Sequence, residues 1–414
     1  MRSFCELFQQ QPLTRGVGGR TRSRKERLTS RQRLFQQPPL AKRWIKPYSA
    51  SPNRRKPKIT TGGSPLRTEN SLAALLHEPG RLELVERPTP EPGPGEVLVE
   101  VGACAICGSD FHLIDGHVRR AKYPVVPGHE LMGVVSALGP GVEGVEIGAR
   151  ACIENHVHCG ECYFCKMGRV NLCNDSRSIG MNADGGYSRH VVAPARCVLP
   201  LPDALDDATA SVMQTLGTGY HVVMNRARME AGETVAIIGM GPVGLCALAS
   251  AKYAGGRVIA LDAVAERLEV AREMGADETI DVREHDPVSA VQDLTGGHGA
   301  DAVLEVVGGA QNKTMAQAFE MARKGGRIVV VGAFSVDAPV PLEHLQHLEK
   351  EIIGSRGHPD TFEVCIDLAA RGELNVKPMI THQIPLSMVH RGIEMMRERK
   401  DGAIKVVLIP REEG

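Results

Sequence analysis

The sequence predicts an α/β protein in which a doubly wound parallel sheet is joined to a β-rich domain. Three observations carry that prediction. Before about Ala208, short β-type runs such as EVLVEV alternate with Gly/Pro turns, the pattern of a small all-β barrel. Beyond that point, strand-type and helix-type runs alternate, which implies parallel strands joined by crossover helices. Within the second part, GMGPVG follows a strand-type run directly and opens a helix.

The elements follow in order. ETVAIIG reads as a buried strand, GMGPVGLCALASAKYAGG as a helix and RVIALD as the next strand. VAERLEVAREMGA places Val264, Leu268, Val270, Ala271 and Met274 on helical spacing. ADAVLEVVG, TMAQAFEMARKGG and RIVVVGAF continue as strand, helix and strand, and from about Glu351 the chain returns to the first style, ending in AIKVVLIP. The predicted layout is a leader over 1–70, a β-rich domain over 71–213 with a cysteine lobe at 155–175, a nucleotide-binding domain over 214–350, and a return to the first domain over 351–414.

Length and composition fit this layout. The chain has 414 residues, 42% of them hydrophobic and 24% charged, which suits about two globular domains. No run of eighteen apolar residues exists, so no membrane span is expected. The formal net charge of zero hides an asymmetry: residues 1–67 carry 17 Lys and Arg against Glu6 and Glu26 alone, leaving 32 basic and 47 acidic residues in the body. The leader cannot bury enough apolar surface to fold alone. Three readings of it stand: a translated upstream region or mis-assigned start, an organelle transit peptide, or an arm for nucleic acid or an anionic surface. It lacks the apolar core of a secretory signal, so the 11 cysteines are expected to be thiols or metal ligands.

GMGPVG supplies a dinucleotide turn. Gly239 permits the tight bend, Gly241 lets the backbone approach a pyrophosphate, and Gly244 lets helix and strand pack closely. The helix N-terminus offers free N–H groups to the phosphates. Asp262 closes the following strand where a carboxylate would accept ribose hydroxyls and oppose a 2′-phosphate, so NAD is expected over NADP. Arg267 lies near enough to leave NADP open. Gly308 and Gly332 end strands at the carboxyl edge and are expected to line the nicotinamide, although each also reads as a plain turn.

HCGECYFCKMGRVNLC spaces Cys159, Cys162, Cys165 and Cys173 as C-x2-C-x2-C-x7-C. Four thiolates are a tetrahedral zinc set, and with every position filled by protein the zinc would be structural. An iron–sulfur cluster or disulfides are the alternatives. Lys166 and Arg169 could offset the thiolate charge, and His156 and His158 read as loop residues. A second set is mixed: Cys107 just past a strand, then His129 and Glu130, which would leave a metal position open as catalytic zinc requires. Cys104 and Cys107 also read as buried small residues, Ser109 as a turn residue and His112 as a surface histidine.

C-G-S-D-x-H, then G-H-E, then the cysteine lobe, then G-x-G-x-x-G with its downstream Asp, resemble the zinc-dependent medium-chain alcohol dehydrogenase family over residues 71–410, nearest the sorbitol, threonine and butanediol dehydrogenase branch. The resemblance implies a GroES-like catalytic domain, a Rossmann domain, two zinc ions per chain, and catalytic zinc on Cys107 and His129 with Glu130 as a direct or exchanging ligand. It implies a proton route from Ser109 through the nicotinamide ribose to His112, and oxidation of a secondary alcohol, polyol or amino alcohol by NAD. It also implies a homodimer or homotetramer formed by extending the Rossmann sheet, and a cytoplasmic protein unless the leader targets an organelle. One position departs from the family: Gln214 stands where a further acidic or cysteine ligand is expected. An NADPH-dependent aldehyde or enal reductase, and a non-catalytic scaffold with a decayed zinc site, remain the alternatives. No nucleic acid is expected for the body; His221 reads as packing, and His358 lies in SRGHPDTFEV, a segment that could contribute to the substrate pocket.

Overall fold

The computed structural model describes residues 70–309 and 312–411; the expectations for the leader and its Cys5 lie outside the described residues. The first part is built of β1 (Asn70–Glu78), β2 (Arg81–Pro88), β3 (Glu96–Ala105), α1 (Gly108–Ile114), β4 (Glu130–Leu138) and β5 (Arg150–Ile153). β6 (His156–Val157), α2 (Tyr163–Lys166) and β7 (Arg177–Ser178) form the cysteine lobe and its base. β8 (His190–Pro194), β9 (Val198–Pro200), α3 (Asp207–Ser211) and α4 (Met213–Tyr220) lead out of it. The second part comprises β10 (Thr234–Ile238), α5 (Pro242–Tyr253), β11 (Arg257–Asp262), α6 (Ala265–Glu273), β12 (Glu278–Asp281), α7 (Pro287–Leu294), β13 (Ala300–Glu305), α8 (Lys313–Met321), β14 (Ala322–Val330), α9 (Leu342–His347) and β15 (Glu351–Gly354). α10 (Phe362–Ala370), β16 (Ile380–Pro385), α11 (Val389–Glu398) and β17 (Lys405–Ile409) complete the chain.

The second part is a six-stranded parallel sheet in the order β12-β11-β10-β13-β14-β15. Its sequence order, reversing beside the first strand, is the doubly wound dinucleotide arrangement. Both faces are covered, and so its strands read as continuous apolar runs. Along β10, Val235 and Ile237 enter the core under α4 and α5. Ala236 and Ile238 enter the opposite core with Met315 and Phe319 of α8. Each buried Val or Ile contributes roughly 1.5–3 kcal/mol.

The other sheet runs β16-β17-β3-β4-β5-β9, with β8 also paired to β3. β17 pairs antiparallel with β3, so the C-terminus does return to the first sheet. The return comes later than the sequence predicts. Glu351–Gly354, expected at the start of the returning segment, is instead the edge strand of the parallel sheet, paired with β14. Four residues, three of them exposed on this edge, carry too little apolar signal to be recognised as a strand. The helix expected over TMAQAFEMARKGG also stops early, at Met321, because Ala322 is drawn into β14 beside β13.

Candidate active site and metal centres

The register of β3 and β4 builds the first site. Ala105 stands opposite Glu130, so Cys107 and His129, each just beyond the paired ends, are brought together. β17 joins the same end, with Val407 opposite Ala105, which carries Lys405 toward it. Ligand atoms of Cys107, His129 and Glu130 all lie within 4.8 Å of one another. The Ser109 hydroxyl donates to Cys107 Sγ at 3.2 Å and lies 3.2 Å from His129 Nε2.

Each donor is fixed by a partner. Asp110, fully buried, has Oδ1 at 3.0 Å from His129 Nδ1 and accepts the Cys107 backbone N–H on Oδ2 at 2.9 Å. Tyr187 donates to the same Oδ2 at 2.7 Å. Glu130, also fully buried, accepts from Lys405 Nζ on Oε1 at 2.7 Å, with Oε2 2.6 Å from the same ammonium. Thr215 Oγ1 of α4 is 3.4 Å from Nζ. The electrostatics agree with the geometry. Burial alone would lower the His129 pKa, but Asp110 and Cys107 outweigh it and hold it well above the ordinary value. Burial would likewise discharge Lys405, yet Glu130 and Cys107 raise it. A thiol, an imidazole and a carboxylate gathered around a place that favours positive charge fit a divalent cation bound by mixed soft and hard donors.

The second site is the lobe. Its sulphurs lie 3.5 Å (Cys159–Cys173), 3.6 Å (Cys162–Cys165), 3.9 Å (Cys159–Cys165) and 3.9 Å (Cys162–Cys173) apart. Zinc–thiolate bonds of about 2.3 Å put tetrahedral sulphurs about 3.8 Å apart, so the four thiols already occupy the corners of a zinc tetrahedron. All four are free thiols in one cluster, not bonded as two pairs. N–H groups of Asn174 and Cys165 pull Cys162 down to about 6. Lys166 and Arg169 are exposed, and neither His156 nor His158 joins the sulphur cluster.

The glycine turn takes the expected form. Gly239 has φ +101°, and a Cβ on Gly244 would stand 1.9 Å from the Gly239 carbonyl oxygen. Gly241 caps α5 with open space beside it, the nearest neighbour of a Cβ there being Arg267 Nη1 at 3.9 Å. Asp262 accepts the Met240 and Val264 N–H groups at 2.6 and 2.9 Å, with Arg267 3.7 Å away. Each carboxylate oxygen keeps a second lone pair for a ribose hydroxyl. Gly308, at φ +60°, packs against Gly332 and Ala333.

His112 is exposed one turn beyond Ser109, its ring 6.2 Å from that of His117. Gln214 is half-buried on α4, one residue before Thr215. His221 is packed below α4, with Asn225 Nδ2 3.1 Å from its Nδ1. His358 is buried against Glu154 at 3.4 Å. Sequence reasoning missed Asp110, Tyr187, Lys405 and Glu305. Glu305, fully buried at the end of β13, accepts the N–H groups of Val307 and Gly308 and the Thr314 hydroxyl. Its Oε2 stands 2.6 Å from where a Cβ on Gly332 would lie, so that position is reserved for glycine. An acid ending an apolar strand before a glycine pair was the available signal.

A parallel dinucleotide sheet beside a mixed-donor metal pocket defines a zinc-dependent oxidoreductase that uses a nicotinamide cofactor. Comparison with known proteins narrows the class. Residues 93–203 match the alcohol dehydrogenase GroES-like domain and residues 242–371 match zinc-binding dehydrogenase. L-threonine 3-dehydrogenase of Bacillus subtilis is 36% identical over 348 residues, covering 82% of this chain and 99% of that one. A zinc-binding dehydrogenase of Sinorhizobium meliloti 1021, solved bound to NADP, superposes with TM-score 0.78 at 32% identity, covering 82% of this chain and 99% of that one. An Escherichia coli CFT073 alcohol dehydrogenase (rspB), solved with NADH, gives TM-score 0.77 at 31% identity over the same shares. The chain belongs to the zinc-dependent medium-chain alcohol dehydrogenases, in their threonine and polyol branch. It is an oxidoreductase acting on small-molecule alcohols.

Proposed function

We propose that the protein oxidises a secondary alcohol, polyol or amino alcohol reversibly with NAD, at a zinc held by Cys107, His129 and Glu130, and that a second zinc on Cys159, Cys162, Cys165 and Cys173 is structural. The observation that carries this reading is the gathering of Cys107, His129 and Glu130 ligand atoms within 4.8 Å of one another, with the Ser109 hydroxyl 3.2 Å from both Cys107 Sγ and His129 Nε2. A zinc held by these residues would supply Lewis-acid polarisation of the substrate hydroxyl, and a bound nicotinamide would supply the hydride acceptor. Asp110 keeps the proton of His129 on Nδ1 and leaves Nε2 as the donor. Lys405 competes for the Glu130 carboxylate, so Glu130 is an exchanging ligand. With the cofactor bound, Ser109 would accept the substrate proton and His112, exposed one turn beyond it, would release one to solvent. Gln214 assists through a hydrogen bond to the bound water or substrate. Gly308 and Gly332, set by Glu305, line the nicotinamide.

Asp262 supports NAD because a 2′-phosphate would meet its charge; Arg267 at 3.7 Å, together with the NADP-bound relative, supports the NADP alternative. The catalytic unit comprises 71–213 and the returning C-terminal segment, around the nucleotide-binding unit that ends with β15. β15 is an exposed edge, which supports a dimer or tetramer formed by sheet extension. No helix among the described residues is long and apolar enough to cross a membrane, and a cytoplasmic location is our reading.

The test is a panel of secondary alcohols, polyols and L-threonine assayed with NAD and with NADP by nicotinamide absorbance. Turnover of a secondary alcohol with NAD preferred is expected. Turnover confined to aldehydes with NADPH would replace this reading by the reductase.

A further inference from the structure

The loop Gly185–Ser188 carries no motif and no predicted role, yet it is laced to the loop that delivers His129. Gly185 N–H donates to the Val126 carbonyl at 2.8 Å, Gly186 N–H to Gly128 at 2.8 Å and Tyr187 N–H to Pro127 at 3.0 Å. The Tyr187 carbonyl in turn accepts from Ala74 of β1 at 2.8 Å. The Tyr187 ring is fully buried and lies over Gly128, where a Cβ would come within 2.4 Å of its Cδ1. The phenol therefore cannot swing, and its hydroxyl is aimed at Asp110 Oδ2 at 2.7 Å.

We propose that Tyr187 is a positioning residue for the catalytic metal, acting through Asp110 on His129. An ionised carboxylate only accepts, so the phenol must be the donor. Oδ2 is then held from two directions, by Tyr187 and by the Cys107 N–H at 2.9 Å, and Oδ1 is left square to His129 Nδ1 at 3.0 Å. The tautomer and the tilt of the imidazole are fixed together. One carboxylate thus ties the backbone of one ligand, Cys107, to the ring of the other, and Tyr187 locks the tie. Without the hydroxyl, Asp110 retains a single donor on Oδ2 and can turn away from the imidazole. Hydrogen bonds behind metal ligands of this kind set affinity by about tenfold or more.

The inference rests on the proposed catalytic zinc, and the test separates the two. Zinc release from the full chain to a chromogenic chelator is followed for wild type, Tyr187→Phe and Tyr187→Leu, with the cysteine-lobe zinc as an internal reference. Tyr187→Phe keeps the ring over Gly128 and removes only the hydroxyl. The expected result is two zinc in wild type, with the active-site ion released about tenfold faster in Tyr187→Phe and the lobe ion unchanged. If Tyr187→Phe releases both ions as wild type does and only Tyr187→Leu is altered, the residue is packing alone and the proposal is overturned. Faster loss of both ions in Tyr187→Phe would equally overturn it, as a general loss of structure. A wild type holding one zinc would instead remove the underlying site.

Discussion

The two candidate metal sites are built on opposite plans. The lobe gathers four like donors from one loop of fifteen residues, three of the cysteines half-buried and Cys173 buried. The active site draws Cys107, His129 and Glu130 from the ends of two strands, and fixes them through residues far along the chain. Tyr187 lies 77 residues from Asp110, and Lys405 lies 275 from Glu130. A structural site needs only ligands that can reach the ion. A working site must leave a coordination position open without collapsing, and buried partners hold the ligands apart from outside.

The sharpest way to break the contrast is Cys107→Ala. Loss of the active-site zinc removes about 4 kcal/mol of transition-state stabilisation, so kcat/KM should fall roughly a thousandfold. The lobe metal should stay in place. Lys405→Met comes next. In the zinc-free protein it leaves the Glu130 carboxylate buried and unpaired, costing about 3–5 kcal/mol in chemical denaturation, and adding Glu130→Gln should recover most of that. A loss under 1 kcal/mol would show that the network does not hold the site.

Asn171→Ala tests how far the lobe stands alone. Its side-chain amide donates to the Arg356 carbonyl at 2.8 Å, tying the lobe to the segment that carries His358. About 1 kcal/mol of stability should be lost with the lobe zinc retained. If the zinc is lost as well, the lobe is not autonomous. The smallest effect concerns His221, which burial and then Arg226 push down to about 4. Its folded pKa lies below the unfolded value of 6.5, so the unfolded chain binds the extra proton between those values. Stability should fall as pH drops from about 6.5 to about 4, and His221→Gln should flatten that slope in thermal melts while leaving both metals bound.

What was legible in the sequence follows the same division. GMGPVG, the four cysteines, Cys107 and His129 are local patterns; the structure gathers the four cysteines in one cluster and Cys107 and His129 with Glu130 in another. Asp110 sat inside the quoted C-G-S-D run without a role, because an acid one turn from a cysteine says nothing of a histidine 19 residues on until the strands pair. Tyr187 and Lys405 looked like an aromatic and a cation among strand residues. The partner of Lys405 is set by the β3–β17 register and that of Tyr187 by loop hydrogen bonds to Val126, Pro127 and Gly128, which no spacing reveals. β15 was assigned to the wrong unit because an exposed edge strand of four residues resembles a loop. Gln214 stayed ambiguous for a chemical reason: a neutral amide fits beside a metal-bound water as well as it fits a helix surface.

The most direct test of the central claim is the zinc content of purified wild type, Cys107→Ala and Cys162→Ser by elemental mass spectrometry. Two ions per chain in wild type and one in each variant, with turnover abolished only in Cys107→Ala at a temperature where both variants remain folded, is the predicted result. One ion in wild type, or two in Cys107→Ala, would contradict it.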